Sequence, residues 1–142
     1  MDAKGRVAIP GSFRDVITSI GSDDMVVTVD PLLPHLSLYP VSIWNQVQAK
    51  IAALSSTNPY TAKLRHTFVG NAFDRSVDSG NRVLLPQVLR DHAGLSKELM
   101  LVGAINKIEI WAGDNWAARE TEIDLSNVPH DQLPEELQTI SY

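Results

Sequence analysis

A stretch near the amino terminus of this 142-residue chain recurs 76 residues later. Asp2-Ala3-Lys4-Gly5-Arg6-Val7-Ala8-Ile9-Pro10 aligns with Asp78-Ser79-Gly80-Asn81-Arg82-Val83-Leu84-Leu85-Pro86. Carried on to Asp15 and Asp91, six of fourteen positions are identical: Asp2, Arg6, Val7, Pro10, Arg14 and Asp15 match Asp78, Arg82, Val83, Pro86, Arg90 and Asp91. Roughly one identity is expected from ordinary composition, and shared Asp, Arg and Pro at fixed spacing are not a by-product of hydrophobic patterning. Farther on, Met25-Val26-Val27 falls on Met100-Leu101-Val102, Leu36–Tyr39 on Ile108–Trp111, and Trp44 on Trp116. A repeat of this size demands two like units. Each has about 40 core residues, too few to bury a core alone, so the two are expected to share one.

The local signals agree between the halves. The turns Ala3-Lys4-Gly5 and Ser79-Gly80-Asn81 lead into β-rich runs, Arg6–Ile9 and Arg82–Leu85. Pro10 and Pro86 end those strands and suit the first turn of a helix. Phe13, Val16, Ile17 and Ile20 make one apolar face, stopped at Gly21; Val88, Leu89 and Ala93 make the other, stopped at Gly94. Strands are expected at Met25–Val29 and Leu36–Tyr39, and at Leu99–Val102 and Lys107–Trp111. A closing helix follows in each half, lined in the first by Ile43, Trp44, Val47, Ile51 and Leu54 and begun in the second by Trp116. Asn58-Pro59-Tyr60 opens a connecting helix with Leu64 and Phe68 inward and Gly70-Asn71 at its end. The boundaries read as 1–55 for the first unit, 56–72 for the connecting helix, 73–123 for the second unit and 124–142 for an acidic tail, either a short helix or loose chain.

Composition sets limits on function. The chain has no cysteine, which removes disulfides and thiolate metal sites. No apolar run approaches the roughly 20 residues of a membrane-spanning helix, and a soluble cytoplasmic protein is expected. The net charge of −5 argues against a nucleic-acid partner until its distribution is read. Residues 113–142 carry Arg119 against seven acids, whereas residues 1–112 carry 11 bases and 10 acids. The acidity therefore sits in the tail and leaves room for a basic face elsewhere. His35, His66, His92 and His130 stand alone without metal-ligand spacing, and neither a glycine-rich phosphate loop nor a nucleophile elbow occurs. No catalytic residue, metal or cofactor is expected, and His92 reads as a partly exposed helix residue.

The repeated Asp-x-x-x-Arg turn has two readings on residues alone. An Asp ahead of a tight turn with an Arg four residues on is an ordinary turn-closing ion pair. Alternatively, a guanidinium projecting from a strand end engages phosphate or guanine with its planar donor fork, and the Asp holds it in one rotamer beforehand. The carboxylates of Asp2 and Asp78 suit the structural role, and Arg6 and Arg82 the DNA-contacting one. Lys4 adds a phosphate contact that its counterpart Gly80 lacks. Arg14 and Arg90, after the prolines, suit ion pairs on the surface or between units, with Asp15 or Asp91 as candidate partners.

This pair of Asp-x-x-x-Arg turns, each followed by a strand ending in Pro, resembles the MraZ family over roughly residues 1–120. The second half carries the closer match, through Asp78–Pro86, Leu89-Arg90-Asp91-His92-Ala93-Gly94-Leu95, Leu101-Val102-Gly103 and Asn106–Trp111. The first half matches through Asp2–Pro10 with Phe13-Arg14. The resemblance implies an α+β fold of two tandem split β-α-β units, intertwined about a pseudo-two-fold in the AbrB-like swapped-hairpin manner and assembled into a homo-oligomeric ring. It further implies a nucleoid-associated transcriptional regulator binding double-stranded DNA at short repeated boxes upstream of the division and cell-wall gene cluster. Asp2, Arg6, Asp78 and Arg82 would then lie in the DNA-contacting turns. Phe73–Val77 reads as a strand entering the second motif, whereas only Met1 precedes the first, so the first unit is expected to lack its leading strand. Two other classes compete: a ring-shaped protein-binding scaffold using the acidic tail, and an AbrB-like antitoxin, which the duplicated unit disfavours.

Overall fold

The two prolines that punctuate the repeat divide each half into a short strand and a helix, as their fixed φ and missing N–H require. The computed structural model describes residues 1–19 and 23–142, with side chains at 1–15 and 23–142. The expected apolar positions Val16, Ile17 and Ile20 and the stop at Gly21 lie outside the side chains and residues so described. Strand β1 (Arg6–Ala8) is followed by helix α1 (Gly11–Ser19), and the hairpin β2 (Asp24–Val29) and β3 (His35–Pro40) by helix α2 (Val41–Ala52). Helix α3 (Pro59–Leu64) continues into a π-helical turn, Arg65–Val69. The second half runs β4 (Phe73–Ser76), β5 (Arg82–Leu84), α4 (Gln87–His92), β6 (Leu99–Gly103), β7 (Ile108–Ala112) and α5 (Gly113–Glu122). The tail folds into two 3-10 turns and the short helix α6 (Glu135–Gln138). The fold is mixed α+β.

Equivalent strands of the two halves pair with each other. β1 pairs with β5 in a two-stranded antiparallel ribbon, and β3 pairs with β7 at the centre of a five-stranded antiparallel sheet ordered β4-β2-β3-β7-β6. Alternation along the strands gives each sheet face its own partner. Met25, Val27, Val29, Leu36, Leu38, Ile108 and Ile110 pack against Val7, Ile9, Val83 and Leu85 of the ribbon segments and against Leu89 of α4 and its C-cap residue Ala93. The opposite face offers Val26 and Tyr39 to Trp44 and Ile51 of α2 and Phe68 of the π turn. A sheet covered on both faces needs apolar residues at successive positions, and residues Met25 to Val29 are all buried. At the sheet ends, β4 lines the free side of β2, while among the described residues no strand lines the free side of β6.

Several local expectations shift by a residue or change face. Val88 does not join the inward face of α4; it is 54% exposed, because α4 is one short turn-and-a-half that needs only Leu89 and Ala93 to reach the core. Leu54 falls beyond the end of α2 and is exposed rather than lining the helix. The connecting helix starts at Asn58 as expected, with the Asn58 side chain accepting the N–H of Tyr60. It carries Leu64 and Phe68 inward as expected, its last turn widening to the π form, and Phe68 offers its carbonyl to the Thr28 hydroxyl of β2.

Candidate nucleic-acid interface

Each repeated turn is organised by its aspartate. Asp2 Oδ1 accepts the backbone N–H of Lys4 at 3.0 Å and of Arg6 at 2.9 Å. Asp78 Oδ1 accepts those of Gly80 at 2.8 Å and Arg82 at 2.9 Å. Two donors aimed at one carboxylate oxygen favour the charged form. The Arg6 N–H foremost holds the Asp2 carboxyl below the usual aspartate range, and the Arg82 N–H does the same for Asp78. Both turns close with a left-handed residue, Gly5 at φ 86° and Asn81 at φ 57°, at equivalent places in the repeat. Glycine and asparagine tolerate that region best. The carbonyls of these same residues cross to the other half: Gly5 accepts Leu85 N–H at 2.9 Å and Asn81 accepts Ile9 N–H at 2.7 Å.

Antiparallel pairing decides where the arginines point. The register sets Arg6 opposite Leu84, Val7 opposite Val83, and Ala8 opposite Arg82. Residues directly opposite share a face, so Val7 and Val83 turn into the core while Arg6, Ala8, Arg82 and Leu84 turn outward. The side chains of Arg6 and Arg82 are 30% and 38% exposed, so neither guanidinium is sealed inside. Arg6 Nε donates to Asp2 Oδ2 at 2.8 Å. Arg82 is held more loosely, with Nε 3.6 Å from Asp78 Oδ2 and Nη1 3.7 Å from Asp2 Oδ2. The expected pairing of each Asp with its own Arg is present in both halves, and Asp2 adds a reach into the other half. Lys4 stands exposed at the tip of the first turn; Gly80 holds the matching place. The five expected residues are thus gathered around one ribbon.

Arg14 and Arg90 depart from the expectation. Arg14 pairs with Asp23 at 2.8 Å rather than with Asp15 or Asp91. Arg90 donates from Nε to the Leu85 carbonyl at 3.1 Å, and Asp91 instead accepts from Gln87 at 2.7 Å. A helix points neighbouring residues apart, which is why the adjacent acids are not the partners. The Arg90 guanidinium lies directly over Gly5, where a Cβ would come within 2.6 Å of it. Arg75 was not singled out by its sequence: it lies outside the aligned turns, yet its Nε donates to the Leu84 carbonyl at 2.9 Å and ties β4 to the ribbon.

The histidines differ from expectation in one case. His35 does not stand alone; it is 1% exposed, with Nε2 3.6 Å from both Asp30 and Glu109, and Lys107 3.6 Å from the same Glu109 oxygen. The β3–β7 pairing, invisible in linear spacing, brings Glu109 to His35, while Asp30 reaches it across the β2–β3 hairpin. His92 is exposed at the end of α4, as expected. Among the described residues no cluster of His, Asp or Glu has the geometry to hold a metal, and no helix is long and apolar enough to cross a membrane.

Comparison with known proteins bears on both halves of the chain. A family model described as "MraZ protein, putative antitoxin-like" matches residues 1–66 and 68–135. A protein of Serratia proteamaculans (strain 568) named transcriptional regulator MraZ is 38% identical over 142 residues, covering 99% of this chain and 93% of that protein. Proteins of the same name from Klebsiella pneumoniae (strain 342) and Escherichia coli O127:H6 are 39% and 38% identical over the same shares. With the match running through both copies of the turn-and-strand repeat, this chain belongs to the MraZ family.

Proposed function

We propose that this protein is a transcriptional regulator that grips double-stranded DNA with the outward face of the β1–β5 ribbon, and that many copies of that face are displayed on a homo-oligomeric ring. The observation that carries the reading is the convergence of Arg6 and Arg82, from opposite halves, on one exposed face with carboxylates already holding them. A two-stranded ribbon fits the major groove, and pre-ordered guanidiniums lose less entropy on engaging phosphate or guanine. The names of the relatives support regulation of transcription. One ribbon makes few phosphate contacts, so useful affinity comes from several ribbons meeting boxes at matching spacing. The DNA is taken to be short repeated boxes upstream of the division and cell-wall gene cluster, and the site of action the nucleoid of the cytoplasm. In this reading residues 1–55 and 73–123 are the two split β-α-β units of a swapped-hairpin, AbrB-like pair. Residues 56–72 link them, and 124–142 form an acidic tail outside the DNA face.

Fluorescence anisotropy on duplex carrying the chain's own upstream boxes tests this directly. Arg6→Ala and Arg82→Ala should each weaken binding about tenfold or more, in line with roughly 1–3 kcal/mol for a good guanidinium contact. The double variant should abolish specific binding while keeping its circular dichroism and assembly mass. A folded, correctly assembled double variant that binds as tightly as the native chain overturns the assignment.

A further inference from the structure

The outward ribbon face holds a residue that phosphate gripping does not call for. Leu84 is 47% exposed, although Val83 and Leu85 on either side of it are fully buried. Its position is not that of a flexible loop residue. It lies in the β1–β5 ladder directly opposite Arg6, two residues from Arg82 on the same strand, and its carbonyl is bound by Arg75 Nε at 2.9 Å. The equivalent position in the first half is Ala8, opposite Arg82. The face therefore alternates, guanidinium beside leucine on one side and guanidinium beside a methyl on the other.

An apolar side chain flanked by two cations is poorly matched to another protein's apolar patch, because docking there would strip water from both guanidiniums. It is well matched to the floor of the major groove. There guanine presents two acceptors, O6 and N7, to an arginine fork, and thymine presents a single apolar group, its C5 methyl. We propose that Leu84 is a specificity-determining residue that reads a thymine methyl next to the base contacted by Arg6, so the two halves of the ribbon read different base steps. The proposal rests on the DNA-binding reading above and deepens it. Ala8, with a far shorter reach, leaves the matching step of the first half nearly unread. A strand-borne leucine suits the task because the ladder holds its Cα in place while the branched tip covers a methyl.

The test uses the full chain and two duplexes of the upstream boxes, one with thymine and one with deoxyuridine at every thymine of the box. Uracil keeps the pairing and all hydrogen-bond groups and removes only the C5 methyl. The native protein should bind the uracil duplex roughly fourfold more weakly for each methyl that Leu84 covers. Leu84→Ala should bind thymine DNA more weakly by about the same factor and show no further loss on uracil DNA. Ala8→Leu should gain sensitivity to uracil. Equal native affinity for the two duplexes, or a Leu84→Ala chain with undiminished uracil sensitivity, overturns the proposal while leaving the DNA reading intact. Native protein that binds neither duplex overturns the DNA reading and the proposal with it. A Leu84→Ala chain whose assembly mass changes assigns Leu84 to a contact between copies and likewise overturns the proposal.

Discussion

Asp2 reaches across the two halves of the chain to Arg82, with its Oδ2 3.7 Å from the Arg82 Nη1. The same oxygen takes the Arg6 Nε hydrogen bond at 2.8 Å, so one carboxylate serves both arginines of the outer face. Asp78 makes no comparably short bond to Arg82, its Oδ2 standing 3.6 Å from Arg82 Nε, although the charges of both Arg82 and Arg6 act on it. The face is therefore asymmetric in charge as well as shape: Arg6 is locked, and Arg82 sits between two acids. If the ribbon face meets DNA as proposed, this arrangement would leave Arg82 freer to reorient toward phosphate, while Arg6 would keep one direction.

Salt dependence should report how many arginines meet the backbone. Binding constants measured between low and moderate salt should fall linearly on a log–log plot, and each arginine that contacts phosphate lowers the magnitude of the slope by about one when replaced by alanine. Arg82→Ala is expected to lower it, whereas an Arg6 committed to a base edge would weaken binding with a smaller change in slope. Slopes identical in the native chain and both variants would count against phosphate contact by either residue.

Acid should loosen the first turn. The Asp2 carboxyl is held below the usual aspartate range, so it stabilises the fold fully above the unfolded-state value, and that contribution is lost as pH falls through the folded one. At neutral pH, Asp2→Ala should therefore unfold at lower denaturant than the native chain. The gap should narrow as pH drops through and below the ordinary aspartate range. A gap that stays constant down to strongly acid solution would show that Asp2 contributes nothing through its charge.

The left-handed turn residues predict unequal responses to substitution. Gly5→Ala places a side chain at φ 86° and drives it into the Arg90 guanidinium, and should cost about 1–2 kcal/mol in chemical denaturation. Asn81→Gly fills the equivalent position with the residue that position tolerates best, and should stay within about 0.5 kcal/mol of native. Equal losses for the two would mean that the turns are not closed by this conformation.

Removing ribbon packing should damage the fold rather than the face. Leu85 is fully buried between the ribbon and the sheet, and Leu85→Ala should cost about 2–5 kcal/mol. Binding by the fraction that remains folded should be unchanged, since the side chain points away from Arg6 and Arg82. A stable Leu85→Ala protein with weakened binding would reverse that assignment.

What the amino-acid sequence by itself determined is local and repetitive. Asp, Arg and Pro recur at one offset, so the turn, the strand after it and the helix start were legible in both halves without any tertiary knowledge. The MraZ resemblance rested on those same positions, and the family match follows them through the chain. Which residue closes each turn was less legible: in the second turn the left-handed place falls to Asn81 rather than to its neighbour Gly80, and the Asn81 carbonyl accepts Ile9 N–H across the ribbon. The tertiary structure alone decided that Arg6 and Arg82 share a face, that Asp2 serves both, and that His35 meets Glu109. Each depends on strands 70 or more residues apart pairing in one register, and a one-residue slip would turn every outward side chain inward. Local periodicity carries no record of that register; burial of Val7 against Val83 sets it, and the arginines follow.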